Sequence, residues 1–471
     1  MSHQYLIVFA QAHNEFRLPE LSSVSELHGF TYTLADGSDP QRPFMVIHLA
    51  SEEHARLLAR RCILIKAIYQ FYGQGSTYKE LHEANRANRA LWESYIPKTS
   101  FKFIVTAYNH SIPQRRQREV IESFAYMDFL GKIDMNDPEI LLGCFEEYPD
   151  KHGTTRVKHE GDGSFLQVYF GKLIEEGSAR QLIGQFDVKK RVYYGNTSME
   201  SEISLLMTNQ TLAAPGKLIY DPFMGTGSMA YPAAYFGAFV FGSDIDGRQM
   251  RGKGKPPGII RAAKQYGVAA RILDLCTFDV TQNPWRCGEL FDAIVTDPPY
   301  GVRAGAKRLG RKRELSPERR AKYLEHRKSP RPDDQPYIPP TKPYELSALA
   351  ADLVILARYL LKPGGRLVFF LPTVMDDYQE VDINSMMCSG MELIANSLQD
   401  FGSWGRRLVT IRKTSTVKYP PPSFSPEEAV TSEHVPAHKD FREKYFRGFR
   451  TDAPHDNYET AGSVPHYPIH D

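Results

Sequence analysis

Apolar and polar positions change rhythm along the chain, and the changes divide it into three regions. Over residues 1–175, short runs of β-branched and aromatic residues predict strands at Tyr5–Ala10, Phe44–Leu49, Phe101–Ala107 and Gln167–Phe170. Between them, Leu57, Leu58, Ile63, Ile65 and Ile68 predict a helix over Glu52–Phe71, and Gln114–Tyr126 predicts another. In a second region, 176–420, the pattern becomes an alternation of strand and helix from about 215 to 415. Strands are expected at Lys217–Tyr220, Ala238–Gly242, Ala270–Leu273, Phe291–Val295, Arg366–Leu371 and Leu408–Arg412. A helix over Glu345–Leu361 stops at the breaker Lys362-Pro363-Gly364-Gly365. This alternation predicts an α/β fold, a mostly parallel sheet with helices on both faces, preceded by an α+β region. Residues 421–471 are rich in Pro, His and charge and predict a loose tail, apart from Phe441–Phe449. No internal repeat is evident.

Composition narrows the function classes. An apolar share of 42% in 471 residues suffices for packed cores. A net charge of +2 does not mark a nucleic-acid binder, so any such binding must come from local patches. The five cysteines, Cys62, Cys144, Cys276, Cys287 and Cys388, form no CxxC pair, which argues against a disulfide frame or a zinc site. No run of 18 apolar residues and no signal-like N-terminus occurs, so a cytoplasmic protein with no membrane span is expected.

The strongest local motif is Leu218–Ala230, LIYDPFMGTGSMA. A strand ends at Asp221-Pro222, the Gly225-Thr226-Gly227 turn follows, and a helix is expected near Ser228. Glycines let the backbone approach a ligand, and the first helical amides point at it. Two glycines do not make the dinucleotide fingerprint, and no Gly-Lys-Ser/Thr follows to make a P-loop. A second strand ends in Asp244-Ile245-Asp246, where an acid can accept hydrogen bonds from ribose hydroxyls. Asp279, beside Phe278, is a candidate acceptor for an adenine amino group, with Asp274 as its rival. This ordered set predicts an adenosyl cofactor.

The second motif is Phe291–Gly301, FDAIVTDPPYG. A buried strand delivers Asp297-Pro298-Pro299-Tyr300 to its carboxyl end, where ligands of open α/β sheets bind. The prolines stiffen the turn and remove backbone donors, leaving acceptors only. An exocyclic amino nitrogen is a poor nucleophile, because its lone pair is delocalised into the ring. Asp297 and the Pro298 carbonyl can each accept one of its N–H bonds, and Tyr300 can stack on the base.

These segments resemble class I methyltransferases that modify amino groups. The resemblance narrows to eukaryotic tRNA (guanine-10-N2)-methyltransferase catalytic subunits at Val188–Gln210, Asn283-Pro284-Trp285-Arg286 and Phe441–Phe446, with AQAHNEFRLPEL near the start also similar. It implies S-adenosylmethionine as cofactor, tRNA as substrate and N2-methylguanosine at position 10 as product. It also implies a ferredoxin-like segment and a THUMP RNA-binding domain within 1–175, and a small zinc-binding activator subunit as partner. By the same resemblance Gly195-Asn196-Thr197-Ser198-Met199 packs over the cofactor, although Ser198 could simply cap a helix. Arg115, Arg116 and Arg118 are candidate contacts to the RNA, as are Arg303, Arg308 and Arg311. The last three lie in a segment, 303–331, with twelve Lys or Arg against three Glu, a surplus of nine positive charges. That segment departs from the family pattern. Two alternatives remain, a DNA amino-methyltransferase and an inactive RNA-binding scaffold. The division of labour also predicts that a fragment starting near Gly184 folds and binds cofactor by itself.

Overall fold

The structure is a computed structural model. It describes residues 3–108, 110–149, 157–158, 165–300, 305–311, 316–328, 339–424 and 436–447.

The first sheet has seven strands in the spatial order Thr33–Leu34, Phe44–Leu49, His3–Phe9, Ile65–Gly75, Gln167–Glu176, Ile140–Glu147 and Phe101–Tyr108. Its neighbours pair antiparallel except the last two, which run parallel. The helix expected over Glu52–Phe71 is two elements. Helix Glu52–Arg61 starts under the Ser51 side chain, which accepts a hydrogen bond from the His54 amide at 3.4 Å. It ends where Cys62 turns extended (φ −72°, ψ 127°), and strand Ile65–Gly75 follows. That strand is central and buries Ile65, Ala67, Ile68, Tyr69, Phe71 and Tyr72. A strand covered on both faces reads as a continuous apolar run, so Ile65 and Ile68 fit a helical period equally well.

The second sheet carries the two motifs. Its strands are β1 (Leu218–Asp221), β2 (Phe239–Asp244), β3 (Ile272–Thr277), β4 (Phe291–Thr296), β5 (Leu361–Val374), β6 (Met391–Asp400) and β7 (Trp404–Lys413). Their spatial order is β3-β2-β1-β4-β5-β7-β6. Strands β1 to β5 are parallel, and β7 runs antiparallel between β5 and β6. The order reverses at β1, so the carboxyl ends of β1 and β4 flank the switch point where such sheets bind ligands. Strand β6 was not foreseen. It is an edge strand whose Glu392, Asn396, Gln399 and Asp400 hide its pattern. Helix Leu346–Leu360 ends at the expected breaker, with Gly364 at φ 79°.

The two sheets share one core. Tyr5, Ile7, Phe16, Leu21, Val24 and Leu58 belong to the same apolar cluster as Met207, Ile219, Val368 and Leu408. Helix Arg17–Leu27 packs on helix Ser201–Gln210. At this contact the buried Glu20 accepts hydrogen bonds from the Ile63 and Leu64 amides (2.7 and 3.0 Å) and from Asn209 Nδ2 (2.7 Å). Buried Arg366 of β5 donates to Ser23 Oγ, the Gln210 carbonyl and Glu26 at 2.7–2.9 Å. This continuity runs against the expectation that a fragment from Gly184 folds alone.

Part of the expected tail is anchored. Ala437 donates its amide to Asp382 at 3.0 Å, and Lys444 pairs with Asp377 at 2.8 Å. Helix Phe441–Arg447 buries Phe441 against Leu346 and Val374. The rest of the tail beyond Phe424 lies outside the described residues.

Candidate active site

The site is built from the carboxyl ends of β1, β2 and β4. After β1 the chain turns through Gly225 (φ 52°) and Gly227 (φ 84°), and regular helix begins at Ala230. Both angles lie in the left-handed region that favours glycine. The Gly225 amide donates to Asp244 at 2.9 Å, so the acid that ends β2 also pins the turn. The other Asp244 oxygen accepts the Asp246 amide at 2.8 Å. Asp246 pairs with Arg248, and Ile245 is half-buried beside it. Asp221 is buried, with Pro222 beside it. Its carboxylate accepts from the Phe223 amide and from Thr296 Oγ1 at 3.0 and 2.8 Å, tying β1 to β4. Burial raises the Asp221 carboxyl to about 7 and also lifts that of Asp244.

The 195–199 segment closes over this turn. Ser198 Oγ accepts the Gly195 amide at 2.9 Å and lies 2.7 Å from Thr226 Oγ1. The buried Met199 donates its amide to Ser228 at 3.0 Å, while Thr197 is exposed. The helix expected near Ser198 begins instead at Ser201, with Glu200 at its cap and no side-chain capping bond. Ser198 is thus spent on the glycine turn.

Asp279 follows β3 and is buried, whereas Asp274 lies exposed within the strand. Of the two rivals, only Asp279 lies past the carboxyl end of the strand. Its carboxylate accepts from the amide and hydroxyl of Thr281 at 2.8 and 2.9 Å, and from the amide of Leu309. Phe278 is half-buried and stands edge-on to Trp285, with centroids 6.3 Å apart. Leu309 belongs to a short ribbon, Lys307–Leu309 with Thr341–Pro343. Beside it Ala306, Tyr344 and Leu349 pack on Phe223 and Val280. Part of the basic segment is therefore seated against the cofactor end of the sheet.

At the end of β4, Asp297 Oδ1 is buried and has no hydrogen-bond partner among the described residues. Burial raises this carboxyl to about 7, with Arg406 pulling it down and Glu200 pushing it up. Pro298 is buried, and Pro299 and Tyr300 are half-buried. Tyr300 stands edge-on to Phe441 with centroids 6.3 Å apart, so the anchored tail buttresses the motif.

The predicted RNA contacts are dispersed. On helix Gln114–Ser123, Arg116 is buried and pairs with Glu146 at 2.8 Å, which takes it away from any phosphate. Arg115 and Arg118 are exposed, with Arg115 paired to Glu119 at 2.9 Å. The Arg308 guanidinium lies 5.2 Å from the centroid of the Tyr344 ring, and Arg311 is exposed. Arg303 lies outside the described residues.

A family model described as "Tmrp11 THUMP N-terminal domain" matches residues 3–180, and one described as "RMKL-like, methyltransferase domain" matches 189–319. The tRNA (guanine(10)-N(2))-methyltransferase of Schizosaccharomyces pombe is 35% identical, covering 94% of this chain and 96% of that protein. The Saccharomyces cerevisiae enzyme of the same name is 36% identical over 95% of this chain and 99% of its own length. The Homo sapiens protein, TRMT11, is 32% identical over 95% and 96%. This chain belongs to the tRNA (guanine(10)-N(2))-methyltransferase family.

Sequence reasoning missed two residues of this family member's site. Arg406 of β7 is buried, donates to Gln399 Oε1 at 2.6 Å, and pairs with Glu200. It also acts electrostatically on Tyr300 and Asp297. Burial works against its charge, but Glu200, Tyr300 and Asp297 hold its pKa above the usual value. Arg406 and Glu200 sit 206 residues apart, so no local pattern joins them. Removing the positive charge takes away what lowers the Asp297 pKa. Arg406→Gln is therefore expected to move the acidic limb of the kcat/KM profile to higher pH and to reduce activity at pH 7 roughly five- to tenfold. An unshifted limb would remove Arg406 from this role.

Asp244→Ala is expected to weaken S-adenosylmethionine binding by roughly 1–3 kcal/mol, the scale for hydrogen bonds to a charged group. Part of the loss comes through the freed Gly225 turn. An unchanged dissociation constant by calorimetry would move the ribose role to Asp246.

Proposed function

We propose that this chain transfers a methyl group from S-adenosylmethionine to the exocyclic N2 of guanine 10 in tRNA, forming N2-methylguanosine. The observation that carries this reading is the buried Asp297 Oδ1 at the end of β4, beside Tyr300 and with no hydrogen-bond partner among the described residues. A desolvated acceptor with no donor of its own suits a ligand that brings an N–H. Full-length relationship to tRNA enzymes, through both sheets, supports RNA over DNA as the substrate.

The residues fit the cofactor. A Cβ on Gly225 would meet only the Phe223 carbonyl oxygen, 3.8 Å away, so the turn is open for a ligand to approach its backbone. Thr197, Ser198 and Met199 would cover the cofactor. Asp221, Pro222 and the Gly225-Thr226-Gly227 turn would line it, Asp244 would take the ribose hydroxyls, and Phe278 and Asp279 would border the adenine. Asp279 already holds the Leu309 amide. An adenine amino group must therefore share that carboxylate or displace the ribbon. The bound cofactor supplies an electrophilic methyl group.

Asp297 and the Pro298 carbonyl accept the two N–H bonds of the guanine amino group. This turns the nitrogen lone pair toward the methyl and localises it. Tyr300 stacks on the base, and Pro299 keeps the turn stiff. As the C–N bond formed, the methyl–sulfur bond would break, its electron pair leaving on sulfur to give the neutral thioether S-adenosylhomocysteine, and the nitrogen would give up one proton to the Asp297 carboxylate beside it. A carboxyl held near pH 7 is matched to that task.

A small zinc-binding activator subunit is part of the proposal, on the family resemblance alone. The test is nucleoside mass spectrometry of tRNA incubated with the chain and labelled cofactor, with and without that subunit. Label in N2-methylguanosine at position 10 is the expected result. Cofactor binding with no labelled nucleoside under either condition would leave the inactive scaffold as the better reading.

A further inference from the structure

We infer that Lys189, Lys253, Lys255 and Lys264 form one surface that grips the phosphate backbone of the RNA whose base enters the site. The inference rests on the RNA-directed reading above and names the surface that serves it.

Two stretches of chain far apart in sequence build this surface. Tyr193 staples them together. Its hydroxyl donates to the Gln249 carbonyl, and its ring fills the space that a Cβ on Gly252 or Gly258 would enter, at 2.5 and 2.6 Å. Gln265 completes the joint, donating to the Lys190 carbonyl at 2.8 Å and accepting the Val192 amide at 2.9 Å. The stretch carrying Lys189 is thereby held against the stretch carrying the other three lysines. Gly252 and Gly254 lie at φ 61° and 111°, so the Arg251-Gly-Lys-Gly-Lys255 turn depends on its glycines. Lys253 and Lys255 are exposed on that turn.

The charges are not cancelled locally. Lys189, Lys253, Lys255 and Lys264 are exposed, and their ammonium groups form no ion pair among the described residues. The nearby carboxylates are engaged elsewhere. Asp246 holds Arg248 through both oxygens at 2.7 Å, and Asp187 accepts the Lys189 backbone amide at 2.9 Å. On a chain with a net charge of +2, such an excess is a local feature. The Lys253–Lys255 turn of the patch comes just after the short helix Gly247–Arg251 that follows β2, whose last residue, Asp244, pins the glycine turn, and Tyr193 of its other stretch lies two residues before the 195–199 segment. The patch therefore borders the site instead of lying on a remote face. Tyr194, 58% exposed next to the staple, offers an aromatic face at its rim. The arginine helix Gln114–Ser123 is a weaker candidate, since Arg116 is buried in an ion pair and Arg115 is matched by Glu119. Unpaired lysines in a cluster attract a polyanion by releasing its counterions.

The test compares the full chain with its Lys253→Glu/Lys255→Glu double variant, titrating an unmodified tRNA transcript at several salt concentrations. The expected result is at least a tenfold weaker affinity at about 0.1 M salt, with a log–log salt slope shallower by roughly one per lost phosphate contact. The dissociation constant for S-adenosylmethionine and kcat at saturating tRNA stay at the parental values. Lys253→Gln/Lys255→Gln gives the same pattern at smaller amplitude. Parental tRNA affinity and slope in the Glu variant overturn the inference. So does a loss of cofactor binding that accounts for the whole effect. A parent chain that binds tRNA with steep salt dependence yet methylates none would defeat the enzymatic reading, while the binding comparison would still decide the patch.

Discussion

Asp297→Ala is expected to lose at least about 10²-fold in methyl transfer, the lower end for a positioned acid–base group. The dissociation constant for S-adenosylmethionine should stay within a few-fold. The separation follows from geometry. Among the described residues, the bonds of the glycine turn run through Asp244, Thr226 and Ser228, none involves Asp297, and Asp297 Oδ1 has no hydrogen-bond partner. Removing that carboxylate leaves the cofactor turn bonded and takes away the acceptor for the target amino group. The parent enzyme should also show an acidic limb. Burial raises the Asp297 carboxyl to about 7, and only the ionised form accepts the amino proton. Activity is then half-maximal near pH 7, approaches its full value about a unit above, and falls about tenfold per pH unit well below it. Asp221 is raised to about 7 as well, but it is bonded to Thr296 and Phe223, and its protonation loosens the joint between β1 and β4. Arg406→Gln separates the two, because Arg406 is among the influences on Asp297 and not among those on Asp221. A variant at position 297 that keeps more than about a tenth of the parental rate would sink the assignment.

The motifs were legible because they are local. Asp221, the glycine turn, Asp244 and Asp297 each sit at the end of a strand, and a parallel sheet brings such ends together whatever lies between. Contacts across the fold were not legible. The bond from the Gly225 amide to Asp244 shows that one residue can serve ligand and turn at once, and no spacing rule states it. Arg406 reaches Glu200 and Tyr300 from β7, a strand whose register on β5 decides which face its side chains take. One misreading was avoidable. Arg116, Val120 and Phe124 are spaced four apart and all buried, while Arg115, Arg118 and Glu119 point outward. The helical period on Gln114–Ser123 marks Arg116 as an inward residue needing a buried partner, which proves to be Glu146. The strand at Ile65–Gly75 was harder, because burial on both faces erases the alternation that separates strand from helix.

A chain beginning at Gly184 is expected not to fold cooperatively, although it contains every residue proposed to hold the cofactor. The reason is the shared core. Phe16, Leu21 and Val24 lie in the same cluster as Met207, Ile219 and Val368, and deleting the first region exposes the apolar side of helix Ser201–Gln210. Each large apolar side chain returned to water forfeits about 1.5–3 kcal/mol. Five or six of them match the whole 5–15 kcal/mol that holds a typical protein together. Polar losses add to this. Asn209 loses Glu20, and the buried Arg366 loses Ser23 and Glu26. A buried guanidinium without its acceptors is among the more costly defects a mutation can leave. The first region is therefore structural support for the catalytic sheet. Circular dichroism and thermal unfolding of residues 184–447 would show a broad, non-cooperative transition and no measurable cofactor affinity. Co-expressing residues 1–183 as a separate chain should restore both, because the lost contacts are non-covalent. A fragment that melts sharply by itself and binds S-adenosylmethionine like the parent would show that the shared core is dispensable, and that the two sheets are independent units joined by a soft interface.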